Sequence, residues 1–177
     1  PIWVQDAVRE MPKTSLLEWL EQYTFPTEAK FADPDFAEAE AQRFWKRIVS
    51  VGTIGGLCYS SIHETALEAA MRHAPENFRI GNVLMTMNCP DYLQQTEADA
   101  ISSVRRCAER FEGRYVASPR FAPTTAPAVM RASAEAAAQF DCFQQTHLGE
   151  TLPEIEWVLG MYQQFEAFEG VPSYTAI

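Results

Sequence analysis

Apolar positions along this chain change period repeatedly, from helical spacing to short unbroken runs and back. Within "ADPDFAEAEAQRFWKRIVSVG", Ala37, Ala41, Phe44, Ile48 and Val51 fall three and four apart, which predicts a helix with one apolar stripe. Asp33 can cap it, Pro34 suits its first turn and Gly52 suits the position just beyond its end. Upstream, Ser15-Leu16-Leu17-Glu18 has capping-box spacing and opens a short helix, "SLLEWLEQY". The residues up to Pro12 suggest no regular element.

Farther along, strand and helix patterns alternate. "TIGGLCY" reads as a strand, Glu64 to His73 as a helix, and "FRIGNVLM" as a second strand. Thr96 to Phe111 reads as a helix that Gly113 can end, followed by the strand "RYVAS". Ala128 to Phe140 is a further helix and "CFQQT" a fourth strand; Thr151 to Glu154 then repeats the capping-box spacing ahead of Ile155, Val158 and Leu159. Recurring strand–helix units predict an α/β fold, a parallel sheet with helices as crossovers. Open doubly wound sheets and closed (β/α) barrels both fit. A complete barrel takes roughly 250 residues, so a chain of 177 is too short for a whole one. No linker or low-complexity stretch divides it, and one domain over residues 1–177 is expected.

With 47% hydrophobic and 12% aromatic residues, the chain can bury a real core. Its formal charge of −10 argues against a nucleic-acid partner, since phosphate binding needs basic patches. No apolar run approaches membrane-spanning length, so no membrane partner is expected. No signal peptide is visible, although the chain begins "PIWVQD" without an initiator methionine, and further residues upstream are an open expectation. Cys58, Cys89, Cys107 and Cys142 are spread out with no C-x-x-C pair. That favours reduced thiols and a cytoplasmic location over a zinc ribbon or disulfide framework.

Candidate chemistry rests on few residues. His73 belongs to a helix beside Arg72 and suits a solvated surface role. His63 follows a strand in "YSSIHET" and reads as a loop or capping residue. His147, in "CFQQTHLGETLPEIEW", follows a strand directly and so falls at the carboxyl edge of the sheet, where α/β enzymes gather active-site groups. A neutral imidazole there could bind zinc, and Glu150 on the same loop could handle a proton. On spacing alone, a polar loop residue and a helix-dipole partner explain the pair as well.

Five regions occur in order: "SLLEWLEQYTFPTEAKFADP", "GTIGGLCYSSIH", "GNVLMTMNCPDYL", "RYVASPRFAPT" and "QTHLGETLPEIEWV". Together they resemble successive signature regions of guanine deaminases in the amidohydrolase superfamily. The resemblance implies a TIM-type (β/α) barrel of the metal-dependent hydrolase kind, with about its first five strand–helix units present. It implies zinc as cofactor and guanine as substrate, converted with water to xanthine and ammonia, and homodimers as in many family members. By the same resemblance His147 is a zinc ligand and Glu150 the proton shuttle, while Arg120 and Phe121 clamp the purine and Gln5 contacts it. A guanidinium fork and an aromatic face suit a flat heterocycle. Without the resemblance, Arg120 would read as a surface or sheet-edge ion-pair residue and Phe121 as core.

The pattern also breaks. Gly149 replaces the family's usual serine, and Thr86-Met87 stand where the family has Asp-Arg. Pro12 falls on a family proline. Ungapped alignment puts Ile2 in place of the second histidine of the family's H-x-H pair; a small insertion would put that pair upstream of Pro1. A later histidine and aspartate would lie beyond Ile177. One histidine cannot hold a catalytic zinc, which takes about three protein ligands, so the chain is expected to carry part of the site. The alternatives are a non-catalytic partial barrel and a related aminohydrolase acting on another nitrogen heterocycle.

Overall fold

In the computed structural model, residues 8–12 and 15–176 are described. An unbroken helical segment comes first: α1 (Leu16–Trp19), a π-helical turn (Leu20–Thr24) and α2 (Phe25–Ala29). Helix α3 (Pro34–Ser50) starts as predicted, with the Asp33 carboxylate accepting from the Asp35 amide at 2.9 Å and Pro34 in the first turn. It ends before Gly52, which adopts φ +84°. Ala37, Ala41 and Phe44 are buried as the stripe requires, joined by Trp45. Val51 is 69% exposed instead: it already lies outside the helix, at the turn that leads the backbone away.

Strands β1 (Gly56–Tyr59), β2 (Phe78–Gly81), β3 (Val83–Leu84), β4 (Val116–Pro119) and β5 (Phe143–Gln144) pair in parallel throughout. The order follows the sequence: β1 against β2, then β3 against β4 against β5, with an Ile80–Tyr115 bridge joining the two groups. Helices α4 (Glu64–His73), α5 (Glu97–Arg110) and α6 (Pro127–Gln139) make the crossovers, and α7 (Leu152–Tyr162) follows β5. The described residues thus contain four strand–helix units in an α/β fold. One buried cluster joins α3–α6 to the sheet, with Trp45, Leu67, Ile80, Val104, Tyr115 and Ala136 in it, and α1–α2 and α7 pack through smaller clusters of their own.

The predicted strand "FRIGNVLM" is interrupted at Asn82, because its two halves serve different partners. Phe78–Gly81 pairs with β1, and Val83–Leu84 pairs with β4. The break carries its own polar wiring: buried Tyr115 donates its hydroxyl to Asn82 Oδ1 at 2.6 Å, and Asn82 Nδ2 donates to Ser103 Oγ at 3.0 Å. Ser103 in turn donates to Glu64 Oε1 at 2.8 Å, so these buried groups are paired, as they must be away from water. The outer predicted strands are also trimmed. Thr53–Gly55 and Cys142 lie outside the pairing, although the Gln145 amide still reaches the Ala117 carbonyl at 2.9 Å. Leu57 and Phe143, on the two outermost strands, remain exposed.

Gly81 sits where the sheet closes most tightly. A Cβ there would meet the Val116 carbonyl oxygen at 1.8 Å and Ser118 Oγ at 2.2 Å. Backbone cannot yield that space cheaply, so Gly81→Ala should destabilise the protein by about 3 kcal/mol or more. A urea-unfolding comparison would show it as a lowered midpoint; an unchanged midpoint would contradict the close approach.

Candidate active site

Parallel strands all point the same way, so the segments leaving them gather at one edge. Tyr59 ends β1, Met85 follows β3, Arg120 and Phe121 follow β4, and His147 follows the extended end of β5. The α1–α2 segment packs across this edge, with Leu20 and Phe25 against Val83, Met85 and Leu93. Between them lies a small, partly open cleft of about 60 Å³, lined by Leu16, Trp19, Leu20, Arg120, Phe121, His147 and Glu150. Four residues singled out in the sequence therefore do meet. Gln5 lies outside the described residues.

His147 is held by one carbonyl. Its amide donates to the Arg120 oxygen at 3.0 Å and its ring Nδ1 lies 2.8 Å from the same atom. A carbonyl only accepts, so Nδ1 carries the hydrogen, and in the neutral ring Nε2 keeps its lone pair. The ring also rests on Tyr59, centroids 4.4 Å apart and tilted by 36°. Burial pushes His147 below the ordinary imidazole pKa, opposed by the Arg120 carbonyl and by the charge of Glu150.

Glu150 occupies an exposed bend whose backbone is clasped from the next helix. Thr151 caps α7 by accepting from the Glu154 amide at 3.3 Å, half of the predicted capping box. The other half differs. The buried Glu154 carboxylate reaches the amides of Gly149 at 3.2 Å and Glu150 at 2.8 Å. Gly149 supplies φ +66° for the turn, a conformation that a serine at this position would adopt only with strain.

Arg120 is not a surface ion-pair residue. It is 5% exposed, and its Nη1 donates to Oε2 of the fully buried Glu28 at 2.7 Å. Its guanidinium carbon stands 5.1 Å from the centroid of the Phe25 ring, and Nη1 also lies 3.4 Å from Met85 Sδ. Stripping one partner from such a buried pair costs about 3–5 kcal/mol. Phe121 is buried and extended, forming cleft wall and packing at once.

His63 heads α4 without capping it through its side chain, and its ring Nε2 is buried with no partner among the described residues. Burial lowers its pKa, while the charge of Glu28 raises it. His73 is half-buried rather than freely solvated and pairs with Glu38. The sequence marks Glu154 only as part of a helix cap, and Glu28 and Tyr59 not at all by spacing. Glu28 and Tyr59 do lie inside quoted signature stretches, "FPTE" and "GLCYSSIH", the only trace the sequence offered. Among the described residues, no three His, Cys, Asp or Glu side chains converge as a metal site.

A parallel α/β sheet with a cleft across its strand ends, holding an imidazole, an acid and an ordered guanidinium, is the layout of an α/β enzyme site. The comparisons narrow the class. The chain is 34% identical over 164 residues to a guanine deaminase of Escherichia coli strain K12 and 33% identical over 172 residues to one of Dictyostelium discoideum. These matches cover 88% and 92% of this chain but 37% of each relative. The solved E. coli guanine deaminase aligns with a TM-score of 0.82 at 31% identity, covering 93% of this chain and 39% of that one. A solved guanine deaminase from C. acetobutylicum, with guanine bound in its active site, aligns with a TM-score of 0.79 at 25% identity, covering 85% of this chain and 38% of that one. No family model matches. In sequence and fold, the chain is similar to guanine deaminases and spans about 37% of the length of the curated relatives it matches.

The two depressed histidines make a pH prediction. Both bind protons less readily folded than unfolded, so their contribution is present above the unfolded value of about 6.5 and is lost as pH falls towards their folded values. Melting temperature should drop as pH falls below about 6.5, and His63→Gln with His147→Gln should flatten that drop. An equally steep decline in the double variant would exclude the histidines as its source.

Proposed function

We propose that this chain carries part of a guanine deaminase site, converting guanine and water to xanthine and ammonia, on part of a (β/α) barrel in a cytoplasmic protein. The observation that carries this reading is the meeting of Arg120, Phe121, His147 and Glu150 in one cleft at the strand ends. Free cysteines agree with a reducing location. Phe121 offers an aromatic wall to a flat base and Arg120 a fixed donor to its polar edge. Glu150 is the acid in the cleft able to take a proton and return it to the ring or the leaving amine.

Zinc fits in one respect only. His147 has the tautomer of a metal ligand, its Nδ1 engaged by a carbonyl and its Nε2 available. The described residues provide no three-ligand cluster, so they do not by themselves form a catalytic zinc site. On this reading the remaining ligands come from segments outside these 177 residues. The same observation favours a second reading, a non-catalytic partial barrel whose open sheet edges are covered by a second copy or another protein.

Guanine loss, ammonia release and zinc content measured on the purified chain separate the possibilities. The partial-site reading expects no sustained turnover; zinc-loaded turnover by these residues alone would overturn it. In a protein that supplies the other ligands, Glu150→Gln should lower turnover by about 100-fold or more with metal content largely kept. An undiminished rate would remove Glu150 from proton transfer. Phe121→Ala should weaken guanine binding by about 1–3 kcal/mol if the ring stacks the base.

A further inference from the structure

We propose that Glu28 is a positioning residue, fixing the guanidinium of Arg120 so that a ligand in the cleft meets one preset donor orientation. That the ligand is a purine rests on the function proposed above. A guanidinium is planar and rigid, so anchoring one nitrogen and seating its carbon over an aromatic ring restricts the directions its other donors can take. Both constraints come from α2: Glu28 Oε2 holds Nη1 at 2.7 Å, and the Phe25 ring lies 5.1 Å from the guanidinium carbon. Phe25 and Glu28 stand three apart on that short helix, so both contacts come from one unit. Glu28 is fully buried, and among the described residues the one hydrogen bond to its carboxylate comes from Arg120.

The backbone of Arg120 is fixed as well, because its carbonyl takes both hydrogen bonds from His147. A side chain ordered before the ligand arrives spares binding the entropy of ordering it. Glu28 also lies inside "FPTE", within the first stretch that resembles the deaminases. Its partner is 92 positions away.

The test compares the wild-type chain with Glu28→Gln, which keeps shape and an acceptor but removes charge, and Glu28→Asp, which keeps charge at a shorter reach. Side-chain nitrogen NMR of Arg120 reports the guanidinium directly. Guanine titration followed by tryptophan fluorescence, with Trp19 in the cleft wall, reports binding. Thermal melting confirms that each variant is folded. The wild type should show separate, slowly exchanging Arg120 Nη signals that collapse in Glu28→Gln and partly return in Glu28→Asp. Guanine affinity should fall roughly tenfold to a hundredfold in Glu28→Gln, the worth of one charge-assisted hydrogen bond. Unchanged Arg120 signals in the folded variants overturn the positioning role, whatever happens to binding. Collapse of the signals supports positioning whether or not the chain binds guanine; no guanine binding in a protein that supplies the remaining site segments overturns the purine reading. Should Glu28→Gln not fold, Glu28→Asp decides alone: altered Arg120 signals support the role and unaltered ones overturn it.

Discussion

The buried contact between Glu28 and Arg120 holds the two walls of the cleft together. One wall is the α1–α2 segment, which brings Leu16, Trp19 and Leu20; the other is the group of segments leaving β4 and β5. Neither charge is tolerable in the interior alone. The pair can therefore form only when the N-terminal helices have docked on a sheet that is already paired up to β4. Its net gain over an apolar pair of the same shape is small by general experience. What it ties together is the α1–α2 segment and the end of β4.

Arg120 works in two directions from one residue. Its side chain reaches back to Glu28, while its carbonyl reaches across to the amide and ring of His147. A displacement of the β4 end would therefore disturb both the donor that faces the cleft and the tautomer of the imidazole. Glu150 is held independently, through the Glu154 carboxylate on the backbone of its loop. Two separate supports thus serve one small space, one built from the sheet and one from α7.

Helix starts were the most legible features of the sequence, because Asp33 and Thr151 act locally and their partners lie two or three residues on. Strand limits were less so. An apolar run such as "FRIGNVLM" cannot show that its halves pair with different neighbours, and residues 53–55 continue the strand-like stretch without pairing in the sheet. Val51 kept the helical spacing but not the helix. The positions of His147 and Arg120 at strand ends followed from the alternation of elements. The depth of Arg120 did not, since its burial depends on a carboxylate 92 residues earlier. Glu154 was read as half of a cap, and only the fold shows its carboxylate spent on the two amides before Thr151.

The polar wiring at the strand break has an optical consequence. From Tyr115 through Asn82 and Ser103 to Glu64, every hydrogen bond runs in the same direction and ends on a carboxylate. The phenol of Tyr115 is thereby a committed donor in a buried, asymmetric setting, away from the cleft residues. Because Tyr115 also bridges Ile80, a slip of β2 past that bridge would break the bond to Asn82 and change the surroundings of a buried phenol, a change that near-ultraviolet spectra detect.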